Sequence, residues 1–220
     1  MDAVATQRAY GGVSAEQRRA QRREALLDAA LDIVAEDGQA KLTVAGLCAR
    51  AGLNERYYYE SFQHRDGVLE ALLDRIAEEL TAAIVTALTG APPDSRAQAH
   101  AAIEAGIAVL VDDPRKARAA LIAGMATPEL RARTARTVRA FARLVAAQGT
   151  GFYGGEVPRQ LVDFRAIYLV GGLVQTLTAW LAGDLELTRD ELIDQVTDVF
   201  VLLGDDLADR YRPTPDRANQ

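Results

Sequence analysis

Apolar residues recur at three- and four-residue intervals along almost the whole chain, which predicts a succession of amphipathic helices rather than strands. The first stripe, Leu26, Ala29, Ala30, Ile33 and Val34, ends at Gly38, a residue suited to the left-handed position after a helix. A second begins after Thr43 with Val44, Leu47 and Cys48, and stops at Gly52. A short third helix is expected over 55–61, and a fourth amphipathic stretch runs from about residue 65 to Leu88. Ala-Pro-Pro-Asp-Ser at 91–95 breaks it and marks a domain boundary. Further helices are expected over 95–111, 114–124, 127–148, 159–182 and 189–211, with Gly-Thr-Gly-Phe-Tyr-Gly-Gly-Glu-Val-Pro at 149–158 as a loop. Those glycines make no phosphate cradle, because no strand precedes them and no Lys-Ser/Thr follows.

The segment 43–62 carries the most specific chemistry. Thr43 is placed to cap the second helix and Asn54 the third, with Gly52 and Leu53 forming the tight turn between them. Arg56, Tyr57, Tyr58 and Tyr59 then populate a short helix that closes on Phe62, whose spacing directs it to the same core as Leu47. Two short helices meeting at a sharp turn, the second rich in cations and hydroxyls, read as a DNA-binding helix-turn-helix. Gly46, inside the second helix, costs about 1 kcal/mol relative to Ala, so a close approach of another helix is expected there.

The order of features around this segment resembles the tetracycline-repressor (TetR) family of one-component transcriptional regulators. The resemblance rests on a basic arm with Arg22 and Arg23, an alanine- and leucine-rich helix ending in Gly38, and the Leu-Thr-Val and Ala-Gly-Leu elements. The Tyr-rich helix with Tyr59 and Phe62, followed by Arg65-Asp66, completes it over roughly residues 20–80. Departures from the family pattern are Asn54 where Ser or Thr is common, Arg56 where Gly or Arg stands, Cys48 for Ala and Arg65 for Lys. None removes a role, since Arg keeps a phosphate-binding cation and Cys is a small apolar substitute. Glu60 stands where a neutral residue is usual, and either accepts from a cytosine amino group or faces solvent.

The resemblance implies an all-α chain: a three-helix DNA-binding domain and a C-terminal helical domain for ligand binding and dimerisation. The expected division is a flexible arm at 1–17, the DNA-binding domain at 18–66, the effector-binding and dimerisation domain at 67–211 and a flexible tail at 212–220. Arg22 and Arg65 are assigned to phosphates, Tyr59 to a phosphate oxygen, and Arg56 and Tyr57 to base edges, with Thr43 and Asn54 as caps that also approach phosphates.

Composition narrows the alternatives. Residues 1–65 hold nine basic and nine acidic side chains, so the net charge of −6 lies wholly in residues 66–220. That balance argues against sequence-independent coating of nucleic acid but leaves a local basic footprint at Arg18, Arg19, Arg22 and Arg23. One cysteine and no N-terminal apolar run point to the cytoplasm. Cys48 has no histidine at helical spacing, and His64 and His100 stand apart without a ligand cluster. No catalytic constellation, metal or cofactor is therefore expected, and an enzyme or helical small-molecule carrier is the alternative from another class. An architectural DNA binder would not need so large an acidic, apolar C-terminal part.

Residues 166–183 carry no charge, yet Gly171, Gly172, Gln175, Thr176 and Thr178 make them too polar for a lone membrane span. A helix apolar on most sides should be buried on most sides. With Leu192, Val196, Val199, Leu203 and Leu207 of the last helix, it offers more apolar surface than one chain covers, and the resemblance implies a homodimer through these two helices. The resemblance also implies an unknown small-molecule effector, for which Ile103, Ile107, Met125, Phe141, Tyr168, Gln175 and Trp180 are candidate contacts. Arg133, Arg136, Arg139 and Arg143 recur at helical spacing, and either bind an anion or form a solvated face.

Overall fold

A computed structural model describes residues 14–153 and 157–211, and among them there is helix but no strand. Residues 1–13 of the expected arm and the expected tail at 212–220 lie outside the described residues. The α-helices are α1 (Ala15–Glu36), α2 (Val44–Ala51), α3 (Glu55–Tyr59), α4 (Arg65–Gly90), α5 (Ser95–Val111), α6 (Pro114–Ala117), α7 (Pro128–Tyr153), α8 (Arg159–Ala182) and α9 (Arg189–Arg210). The chain forms two compact units that divide between Ala71 and Leu72, inside the continuous helix α4.

In the first unit, α1 starts well before its apolar stripe because Ser14 and Gln17 make a reciprocal capping box. Ser14 Oγ accepts from the Gln17 amide at 3.0 Å and Gln17 Oε1 accepts from the Ser14 amide at 2.8 Å. The stripe then buries Leu26, Leu27, Ala30, Leu31 and Val34 against Leu42, Leu47, Tyr58 and Phe62. Gly52 adopts φ 65°, and the Leu53 amide reaches back to the Cys48 carbonyl at 2.9 Å, which closes α2 and opens the turn. α3 ends at Tyr59 rather than at residue 61, and Glu60 and Ser61 form a turn whose amides still reach back to Arg56 and Tyr58.

The second unit is built from paired helices. Ala142 and Ala146 of α7 pack with Ala166 and Val170 of α8, small side chains that let the two backbones come close, with Val138, Phe141, Val145 and Val162 around them. Ile103, Ile107 and Leu110 of α5 and Leu192, Ile193, Val196 and Leu207 of α9 are also buried. Within this unit α4 is tied by ion pairs: Asp74 takes a two-pronged contact from Arg133 of α7, and Glu79 binds Lys116 of α6 at 2.5 Å.

Three expectations change. The helix expected over 114–124 holds α-helical geometry only to Ala117, then widens to a π-turn at Arg118–Ile122 and tightens to a 3-10 turn at Ala123–Met125. The carbonyls of Gly124 and Met125 are drawn to Thr134 Oγ1 and Arg131 Nη1, at 3.2 and 3.0 Å, which takes the chain off the helical path. α7 continues to Tyr153, through residues expected to be loop. There Gly149, Thr150 and Phe152 line an apolar cavity, and that packing offsets the roughly 1 kcal/mol that each helical glycine costs. α8 is buried on one side only: Ala166, Leu169, Val170 and Leu177 face the core, whereas Phe164, Ile167 and Tyr168 are 66, 53 and 65% exposed. Among the described residues α8 is the one helix long and apolar enough to cross a membrane, but Arg165 in its first third is held by Asp206 of α9, as in a packed protein helix.

Candidate nucleic-acid interface and effector cavity

The reading unit is organised by caps on both helices. Thr43 Oγ1 accepts from the Gly46 amide at 3.0 Å, and Asn54 Oδ1 accepts from the Tyr57 amide at 3.4 Å. The tight contact expected at Gly46 is chiefly with this cap. A Cβ there would stand 2.9 Å from Thr43 Oγ1, while Ile33 of α1 approaches to 4.0 Å.

The three consecutive tyrosines divide their work. Tyr58 is fully buried and packs edge-on to Tyr59 at 5.2 Å and tilted on Phe62 at 5.8 Å, which makes it the anchor of α3. Its hydroxyl has no partner, and burial pushes its pKa above the ordinary tyrosine value, with Tyr59 and Cys48 adding to the rise. Tyr59 is 59% exposed and free to reach a phosphate. Tyr57 is half-buried beneath the guanidinium of Arg22, which lies 4.3 Å above its ring.

Arg22 is therefore engaged within the protein. Its Nη2 also donates to Glu60 Oε2 at 3.0 Å, and Glu60 stands 3.7 Å from the Nε of Arg56 as well. Arg19 Nη2 donates to the Glu60 backbone carbonyl. Glu60 neither faces solvent alone nor stands unpaired; it is the centre of an arginine cluster. Arg56 nevertheless keeps 84% of its side chain exposed, and Arg65, beside Asp66 at 3.5 Å, is about half exposed. The sequence places Arg19 in a basic footprint and leaves Glu60 to a cytosine or to solvent, and it does not bring the two together. Position 60 falls four residues after Arg56, a spacing that signals an ion pair on one helical face. The proximity of Arg22 and Arg19 depends on how α1 crosses α3, which no local pattern encodes.

Cys48 is buried in the same unit, and desolvation, with Glu55 adding to it, raises its thiol pKa, so it is packing material and not a nucleophile.

In the second unit, helices α4, α5, α7, α8 and α9 line a partly open cavity of about 160 Å³. Of the seven candidate effector contacts, Ile103 lies in its wall. Ile107 is core, Phe141 packs beside the α7–α8 alanines, and Met125, Tyr168 and Gln175 are exposed. Trp180 donates its indole N–H to the Leu187 carbonyl at 2.7 Å. The cavity wall instead uses Ile84, Leu88, Leu144, Phe152, Phe200 and Leu207, residues whose helical spacing marks them only as apolar. Arg133 is held by Asp74, and Arg136, Arg139 and Arg143 are exposed and none of them lines the cavity.

The architecture is a capped helix-turn-helix followed by a helical unit with a partly open apolar cavity. No family model matches the chain. Over 85 residues it is 34% identical to the HTH-type transcriptional regulator BetI of Klebsiella pneumoniae (strain 342), a match covering 39% of this chain and 44% of that protein. The chain thus spans less than half the length of that curated relative. Its fold matches a TetR-like transcriptional regulator from Rhodococcus sp. RHA1 with a TM-score of 0.64 and 19% identity, covering 82% of this chain and 93% of that one. FadR from Bacillus subtilis, solved in complex with stearoyl-CoA, matches with a TM-score of 0.64 and 16% identity, covering 82% of this chain and 96% of that one. The chain shares its fold with TetR-like transcriptional regulators, and part of it is similar in sequence to an HTH-type regulator.

Proposed function

We propose that the chain is a homodimeric, ligand-responsive transcriptional regulator and not an enzyme, acting in the cytoplasm as a repressor that leaves a palindromic operator when a small molecule binds. Residues 18–66 serve as the DNA-binding domain and 67–211 as the effector-binding and dimerisation domain, with 1–17 as arm and 212–220 as tail. The observation that carries this reading is α3, capped by Asn54 and anchored by Tyr58, which presents Arg56 and Tyr59 outward beside the cations of α1 and Arg65. Arg56 and Tyr57 contact base edges, Arg22, Tyr59 and Arg65 contact phosphates, and the ends of the cap residues Thr43 and Asn54 approach the backbone.

The dimer is supported by the uncovered apolar side of α8 and α9, where Phe164, Ile167, Tyr168, Val199 and Leu202 are exposed. A two-fold pair of reading heads spans half-sites about 34 Å apart, one duplex turn, hence the palindrome. An effector in the helical unit is supported by the cavity there and by the fold relative solved with stearoyl-CoA.

Binding of the purified chain to the promoter DNA flanking its own gene, at several salt concentrations and against excess unrelated duplex, tests the reading. Specific retention of a palindromic fragment is expected. Binding that an equal mass of unrelated duplex removes at every salt concentration overturns it.

A further inference from the structure

The cavity of the second unit has a chemistry that narrows what it can hold. Its wall is almost wholly hydrocarbon, and among the described residues Arg165 is the one charged side chain in it. That guanidinium is already occupied on both edges: Nη1 donates to the Leu203 carbonyl, and Nη2 donates to Asp206 at 2.5 Å. Asp206 in turn binds Arg210 at 2.9 Å. An anionic ligand entering here would have to displace a carboxylate that is covalently tethered and half-desolvated with its partner, and would gain no free cation. Thr150 spends its hydroxyl on the Ala146 carbonyl at 2.9 Å, which leaves Ser95, Gln98 and Gln148 as the polar side chains able to meet a ligand.

Size adds a second limit. The volume of about 160 Å³ is close to that of an apolar cavity of about 150 Å³ that stays dry and takes up benzene. A chain of eighteen carbons would need roughly three times as much. The space is therefore too small to hold a long acyl chain whole, and none of the exposed arginines of α7 lines it.

We propose that this cavity binds a small uncharged molecule with an aromatic or branched hydrocarbon skeleton of about six to ten non-hydrogen atoms and at most one hydrogen-bonding group, which meets Ser95, Gln98 or Gln148. That such binding controls DNA release rests on the regulator reading; the binding itself does not.

The test uses the full chain with toluene as probe and benzoate as its anionic counterpart, read by calorimetric titration and by the shift in unfolding temperature. Toluene is expected to bind saturably at one site per chain, and benzoate at least tenfold more weakly. Gly149 lies in the cavity wall, and a Cβ added there meets nothing within 4 Å, so Gly149→Leu is the variant chosen to fill the space. Gly151, on the same helix but outside the wall, also has open space, and Gly151→Leu is the matched control. Toluene affinity should fall at least tenfold in the first variant and stay unchanged in the second. Equal binding of benzoate, equal loss in both variants, or no saturable toluene binding overturns the proposal. A chain that takes up toluene but binds no operator sinks the regulator reading and leaves this one standing; the reverse outcome sinks this one alone.

Discussion

Arg22 Nη2 stands 3.0 Å from Glu60 Oε2, and this pair joins the helix before the helix-turn-helix to the end of its reading helix. The same carboxylate is 3.7 Å from Arg56, so one anion partly discharges two of the cations assigned to DNA. Glu60→Gln keeps the size of the side chain and removes that competition. The variant should bind unrelated duplex more tightly than the parent, and its plot of log affinity against log salt should steepen by roughly one, the contribution of about one further phosphate contact. Fluorescence anisotropy of both proteins on the same labelled duplex, from 50 mM salt upwards as a starting condition, measures this. An unchanged slope would mean that Glu60 does not restrain the arginines.

Thr43 and Gly46 form a coupled pair at the start of α2. Ala is intrinsically better than Gly in a helix by about 1 kcal/mol, but a Cβ at position 46 would press to 2.9 Å from the capping hydroxyl. Gly46→Ala should therefore bring no gain in the parent and about 1 kcal/mol of stabilisation once Thr43→Ala has removed the cap, which itself costs about 1 kcal/mol. A double-mutant cycle by urea unfolding gives the coupling, and additivity of the two substitutions would refute it.

Why the reading unit was so legible in the sequence, and the cavity so little, follows from the range of the interactions that make each. Thr43, Gly52 and Asn54 act on backbone groups within three to five residues, so their roles are written in local spacing. The Tyr-Tyr-Tyr run was harder to divide, because which ring enters the core depends on the pitch of a helix of five residues. The cavity draws Ile84, Ile103, Phe152, Val162 and Leu207 from five helices far apart in sequence, and each of them looks like ordinary core. Tyr168 and Gln175 drew attention as polar tips on an apolar helix, but they mark the uncovered side of α8. The glycines at 149 and 151 suggested a loop, since their intrinsic cost is visible in sequence and the packing that outweighs it is not.

The uncovered side of α8 and α9 predicts the behaviour of a surface variant. Leu202 is 67% exposed in the single chain, and burying such a side chain contributes about 1.5–3 kcal/mol, twice over in a symmetric dimer. Leu202→Glu should weaken self-association by roughly a hundredfold or more, with helical content preserved. Sedimentation velocity across a concentration series reads the shift. A dimer as tight as that of the parent would place the two-fold elsewhere.

Arg165 and Asp206 link the stability of the helical unit to pH and to the choice of ligand. The hydrogen bond from Arg165, followed by that from Arg210, holds the Asp206 carboxyl below the usual carboxylate range. A folded pKa below the unfolded value of about 3.9 means that this pair stabilises the fold fully above about pH 4, and that the stabilisation is lost as pH falls through the folded value. Asp206→Asn should therefore lower the unfolding temperature near neutral pH, and the gap to the parent should close progressively below about pH 4. The same substitution leaves Arg165 without this counter-charge, so benzoate, bound weakly by the parent, should gain affinity while toluene keeps its own. Thermal unfolding from pH 7 to pH 3, with each probe titrated at neutral pH, checks both effects, and a gap that widens in acid would show that the carboxylate does not stabilise the folded pair.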